Sequence, residues 1–175
     1  MPHTFVLDLP AGMTQRGFWL YVWQVATEKG DLHYVGRTGD NSSPYAASVY
    51  RRMGQHLGDA DNTNALLTHL RRVFADGDIR AFERFRMISH GPIFPEVERH
   101  PDFKHNEAPH YAEAFERHRP FRDRMALLEA HLAAELRRSG YTVLNRFSAH
   151  KAPQQEDWLP VREAFAEHFP RLSDS

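Results

Sequence analysis

The chain has 175 residues, 41% of them apolar and 26% charged, which suits a folded globular protein with a core of its own. No apolar run approaches the roughly 18 residues that a membrane span needs, and the absence of cysteine excludes disulfides, zinc–thiolate sites and thiol nucleophiles. A net charge of −1 speaks against broad electrostatic capture of nucleic acid, which favours basic surfaces.

The positive charge is unusual in kind, with nineteen arginines against three lysines. Arginine is the better bidentate phosphate ligand, although a GC-rich genome produces the same bias. Phe5-Val6-Leu7 is a short apolar stretch with no basic region before it, so no secretory leader is expected and the expected setting is the cytoplasm, without membrane association.

Residues 18 to 26 are rich in aromatic and β-branched side chains and read as a strand. Glu28 to Asp31 is a turn signal, and Leu32 to Gly36 reads as the returning strand of a hairpin. A polar loop follows over Arg37 to Ser43. Ser43 is placed to cap a helix beginning at Pro44, whose fixed φ suits the first helical position. That helix is expected to reach Leu57, with Val49, Met53 and Leu57 as its apolar stripe. A second helix is expected over Thr63 to Ala75, and residues 80 to 88 alternate as a half-buried third strand does. Residues 91 to 110 hold four prolines and three histidines and read as an irregular excursion. Helix is expected again over Tyr111 to Arg119 and Phe121 to Arg138, closed by Ser139-Gly140. Tyr141 to Asn145 is short and extended, and a last amphipathic helix covers about Gln154 to Phe169.

The expected fold is α+β. A small central three-stranded sheet, expected to be antiparallel, is flanked by helices, with an inserted loop and helix segment and a C-terminal helix. One domain is expected over 1–175, with a core at about 17–146, an insertion at about 90–120 and a helical extension at about 147–175.

Two tyrosines lie on the expected hairpin, Tyr21 and Tyr34. Alone, each reads as a strand residue packing in a core. Gly36 after Tyr34-Val35 lets backbone approach a ligand closely. Arg52 and His56 are four residues apart and share one helical face, a pair that alone reads as a solvated face. Arg51 is their exposed neighbour, a general phosphate contact or nothing at all. On the late helix Met125, Leu128, Leu132 and Leu136 form a stripe bordered by Glu129 on one side and Glu135 on the other. A glutamate half-turned toward a core needs a partner, and a metal ion is one. Asn145 closes the set. His100, His105, His110 and His118 lack close ligand spacing and read as surface histidines.

In this order, a Tyr-containing triplet on one strand (Trp19-Leu20-Tyr21), Tyr34-Val35-Gly36 on the next, Arg52 and His56 on a helix, a helical Glu129 and a downstream Asn145 resemble the motifs of the GIY-YIG nucleases. The match runs from Leu20 to Asn145. It departs in the first triplet, which lacks the usual glycine, and in the asparagine, whose spacing in some relatives would fall on Tyr141 or Thr142 instead. The resemblance implies a metal-dependent endonuclease acting on nucleic acid, with DNA the expected substrate, and one Mg²⁺ or Mn²⁺ held by Glu129.

Phosphodiester hydrolysis needs an activated water, relief of charge on the transition state and help for the leaving oxygen. The resemblance and this chemistry together imply Tyr21 as proton relay with His56, Tyr34 positioning water or substrate, and Arg52 on the non-bridging oxygens. Asn145 would brace the arrangement, and Gly36, Arg37 and Arg51 would contact substrate. No separate DNA-reading domain is visible, so specificity is expected from the insertion, the C-terminal helix, a homodimer or a partner subunit. The competing expectation is a catalytically silent domain of the same fold that binds nucleic acid or protein without cutting.

Overall fold

Strand β1, Gly17–Ala26, is buried along almost its whole length because it is the central strand of the sheet and is covered on both faces. The computed structural model describes residues 2–58, 64–74, 82–99, 108–147 and 151–173. Strands β2 (Leu32–Arg37) and β3 (Arg84–Pro95) flank β1 in the order β2-β1-β3, both antiparallel to it. Four helices accompany the sheet among the described residues: α1 (Val49–Leu57), α2 (Ala65–Val73), α3 (Ala108–Arg138) and α4 (Gln155–Ala166). The protein is therefore α+β with a three-stranded antiparallel sheet. No helix among the described residues is long and apolar enough to cross a membrane.

Alternation along β1 divides the interior into two cores. Phe18, Leu20 and Val22 face one way, into a cluster with Val35, Met125, Leu128, Leu132 and Leu136 of α3 and Val161 and Phe165 of α4. Trp19, Tyr21, Trp23 and Val25 face the other way, against Val49 of α1 and Leu66, Leu67 and Leu70 of α2. Each such side chain, fully buried, contributes about 1.5–3 kcal/mol relative to exposure.

The hairpin, the two short helices and the last helix lie where the sequence places them to within a few residues, save for the start of α1. Thr63, Ala75 and residues 80–81 of the expected elements lie outside the described residues. Helix α1 starts at Val49 rather than Pro44. Ser48 is its cap, accepting a bond from Arg51 N. The preceding residues stay non-helical because Tyr45 and Ala46 are buried and Ser48 bridges Arg16. Ser43 instead accepts from Tyr45 N at 3.1 Å, a local turn.

Strand β3 continues to Pro95, so residues 91–95 are not part of an irregular excursion. Its prolines are tolerated because β3 is an edge strand, where a missing N–H breaks no second ladder. The two expected helices around Pro120 are one continuous helix, α3. Its inward face runs unbroken through Ala114, His118, Phe121 and Met125, and Pro120 is exposed on the opposite side, where the carbonyl it leaves unpaired can meet water. The insertion expected over about 90–120 thus shrinks to the stretch between β3 and α3, of which 100–107 lie outside the described residues.

Residues 142–145 run along the outer edge of β2. His33 N donates to Thr142 O at 2.8 Å, and Leu144 N donates to His33 O at 2.7 Å. Helix α3 ends at Arg138, and Gly140 just beyond it, with a φ of +82°, supplies the left-handed residue that such a terminus favours.

Candidate active site

The hairpin register fixes the first half of the site. Tyr21 pairs with Gly36, and Trp23 with Tyr34. Directly paired residues share a face, and so do residues two apart on one strand. Tyr21 and Tyr34 therefore project to the same side, toward α1. Gly36 lies directly beneath the Tyr21 ring, and a side-chain carbon there would overlap the ring and its hydroxyl. The close approach that this glycine permits is made by Tyr21.

Helix α1 brings Arg52 and His56 over that face. His56 is buried and is more enclosed than Met53 or Leu57, so it belongs to the inward stripe and does not merely flank it. Its Nε2 lies 2.8 Å from Tyr21 Oη, and its ring centroid lies 5.4 Å from that of Tyr34. Burial, reinforced by the Arg52 guanidinium, pushes His56 down to about 4. At neutral pH the imidazole is uncharged and can accept the phenolic proton. Burial also raises the Tyr21 hydroxyl well above its ordinary range, with neighbouring Tyr34 adding to the effect. Tyr34 is raised as well, by burial and then by Glu129. Both phenols are protonated at rest. His56 Nδ1 and Arg52 Nε are buried without a hydrogen-bond partner among the described residues.

Glu129, on the helix that packs against the other face of the sheet, reaches the same place beside Arg37, the last residue of β2. Its Oε2 accepts from Arg37 Nε at 3.0 Å, and Arg37 Nη1 is held by Gly39 O at 2.8 Å. Burial raises Glu129 to about 7, although Arg37 and Arg52 pull the other way. Tyr21, Tyr34, Arg37, Asp40, Arg52, His56 and Glu129 line one cavity of about 150 Å³. The five residues singled out first in the sequence, two tyrosines, arginine, histidine and glutamate, thus converge although more than a hundred positions separate Tyr21 from Glu129.

Asn145 does not line this cavity. Its Oδ1 accepts from Val35 N at 3.1 Å and its Nδ2 donates to Val35 O at 2.6 Å. The side-chain amide thus imitates a peptide group and completes the outer ladder of β2 at Val35, the residue after Tyr34. Arg51 is exposed and lies outside the cavity. Glu135 is bound to Arg138 at 2.7 Å and has no place in it.

Two residues of the site were not legible as such. Asp40 Oδ2 binds Arg52 Nη2 at 2.5 Å. Burial alone would raise this carboxyl, but bonds from Ser42 and the Arg52 guanidinium outweigh it and hold Asp40 at about 2. His118 is not a surface histidine: it is fully buried in α3, and its Nε2 lies 3.1 Å from Asp40 O, anchoring the loop that presents Asp40. His110 lies on α3, while His100 and His105 lie outside the described residues.

Among the described residues no three His, Asp or Glu side chains gather as a ready-made metal cage. The donor chemistry nonetheless fits a hard divalent cation that keeps most of its waters. Glu129 offers a carboxylate that burial disfavours as an anion and that, among the described residues, Arg37 compensates by a direct bond, and Asp40 lines the same cavity with a second oxygen donor. Neither a protein-family model, nor a curated protein, nor a solved structure matches the chain.

Proposed function

We propose that the protein is a metal-dependent endonuclease of the GIY-YIG type that hydrolyses phosphodiester bonds of nucleic acid, DNA foremost. The observation that carries this reading is the convergence of Tyr21, Tyr34, Arg52, His56 and Glu129 on one small cavity. Packing alone has no need to gather two phenols, an imidazole, a guanidinium and a carboxylate there.

Each group has a task suited to its state. As water attacks phosphorus, its proton passes to Tyr21 Oη while the Tyr21 proton passes to His56 Nε2, so the phenol relays and never has to exist as a free phenolate. Tyr34 orients the water or the phosphate. Arg52 lies against the non-bridging oxygens, where its charge counts most as the transition state gathers negative charge. Mg²⁺ or Mn²⁺ on Glu129 would supply charge relief at the leaving oxygen. Asn145 keeps β2, and with it Tyr34, in register.

The second reading, a silent domain that binds without cutting, draws on one observation: Arg52 and Glu129 are both engaged in ion pairs, with Asp40 and Arg37. Purified protein incubated with supercoiled plasmid, linear duplex, single-stranded DNA and RNA, in Mg²⁺, Mn²⁺ or EDTA, separates the two. Cutting in the metals and none in EDTA supports the enzyme. Binding with no cutting under any condition supports the silent domain.

A further inference from the structure

Beside the catalytic cavity, and sharing Asp40 and Arg52 with it, lies a second groove of about 360 Å³. Arg16, Arg51, Arg52 and Arg99 line it against a single carboxylate, Asp40. In a chain of net charge −1, this concentrates positive charge at one side of the site. The four arginines are not equivalent. Arg16 and Arg99 both bind Glu96, at 2.7 and 2.9 Å, and Arg52 binds Asp40. Arg51 projects from the exposed face of α1 and forms no ion pair among the described residues. It is the cation whose charge an incoming phosphate finds uncompensated.

Arg99 contributes shape. Its guanidinium carbon lies 5.2 Å from the centroid of the Tyr45 ring, while the side chain remains 48% exposed. A guanidinium backed by an aromatic ring offers its outer face to a nucleobase, a contact open only to a base that has left its stack. The volume sits near the low end of the roughly 300–1,000 Å³ of small-molecule sites, room for one nucleotide.

We propose that this groove takes the nucleotide adjoining the scissile phosphate in an unpaired, unstacked state, so that the substrate is single-stranded, or opened by a flap or mismatch, at that position. The inference rests on the nuclease reading for the phosphate at Arg52, but its binding test is independent of cutting. Fluorescence anisotropy in EDTA compares dye-labelled single strands, blunt duplexes and flapped duplexes, in DNA and RNA versions, with wild-type protein, Arg51→Ala and Arg99→Ala.

Single strands and flapped duplexes are expected to bind about tenfold tighter than blunt duplexes, a difference in the range of one good contact. Arg51→Ala should lower the salt dependence by about one phosphate contact, and Arg99→Ala should erase the preference for unpaired substrates. Blunt duplex bound as tightly as single strand, a preference that Arg99→Ala leaves intact, or no binding to any of these nucleic acids overturns the proposal. Preference without cutting in Mg²⁺ sinks the nuclease reading alone. Cutting of all duplexes alike, without the preference, sinks the groove alone.

Discussion

The ring of Tyr21 lies across the α-carbon of Gly36, its partner in the β1–β2 register, and fills the space where any side chain would stand. That contact aims the Tyr21 hydroxyl at His56, 2.8 Å away. Gly36→Ala is expected to push the ring aside, costing about 1–3 kcal/mol as overpacking does and removing cleavage well beyond what the lost stability explains. Thermal melts and single-turnover cleavage on the same preparation check this. A variant with wild-type cleavage would mean that the hydroxyl's position does not matter.

Tyr21→Phe keeps the ring and deletes the bond to His56. It should fold, with a stability loss of about 1–3 kcal/mol from the imidazole left buried without that partner. Cleavage should fall about 10²-fold or more, the usual scale for a proton-transfer group. A loss in binding of the same size as the loss in cleavage would remove Tyr21 from the chemistry.

The residues whose partners follow from periodicity could be read from the sequence. Tyr21 and Tyr34 share a face if the hairpin register allows it, and pairing of Tyr21 with Gly36 and of Trp23 with Tyr34 supplies that register. Arg52 and His56 share one because they are a helical turn apart, whereas periodicity only sets Glu129 and Glu135 on opposite sides of their stripe, and the resemblance singles out Glu129, the one that lines the cavity. Asp40 escaped because it sits in an aperiodic loop and its role depends on an arginine twelve positions on. His118 escaped because the four histidines are read together by ligand spacing, whereas Pro120 points to solvent and leaves the buried face of α3, which carries His118, continuous. The late start of α1 has the same origin: Ser43-Pro44 is a sound local signal, but burying Tyr45 and Ala46 in non-helical chain outweighs it.

Two groups of the site tilt the pH dependence of stability in opposite directions. Glu129 rises from an ordinary 4.5 to about 7 in the fold, so between these values the folded chain binds more protons and stability falls as pH rises. His56 drops from 6.5 to about 4, so between these values the unfolded chain binds more protons and stability falls as pH drops. Glu129→Gln removes the first effect and keeps the second. Urea unfolding without divalent metal, from pH 4.5 to 7.5, should show the variant gaining on wild type by on the order of 2–3 kcal/mol across the range. A difference independent of pH would mean that Glu129 is an ordinary surface carboxylate.

Arg52→Ala separates catalysis from simple binding. If the guanidinium contact strengthens as charge builds on the phosphoryl oxygens, cleavage should fall about 10²-fold while binding in EDTA falls far less. Equal losses would make Arg52 a ground-state phosphate contact.

The gathering of distant side chains into one metal-assisted active site is tested most directly by single-turnover cleavage in Mg²⁺ with wild type, Glu129→Gln and Glu135→Gln. Glu129 lines the cavity with Tyr21 and Arg52, whereas Glu135 is tied to Arg138 outside it. Glu129→Gln is expected to be inactive with an intact fold, Glu135→Gln to cut at the wild-type rate, and wild type to stop in excess EDTA. Cutting by Glu129→Gln at the wild-type rate, or by wild type in excess EDTA, would contradict it.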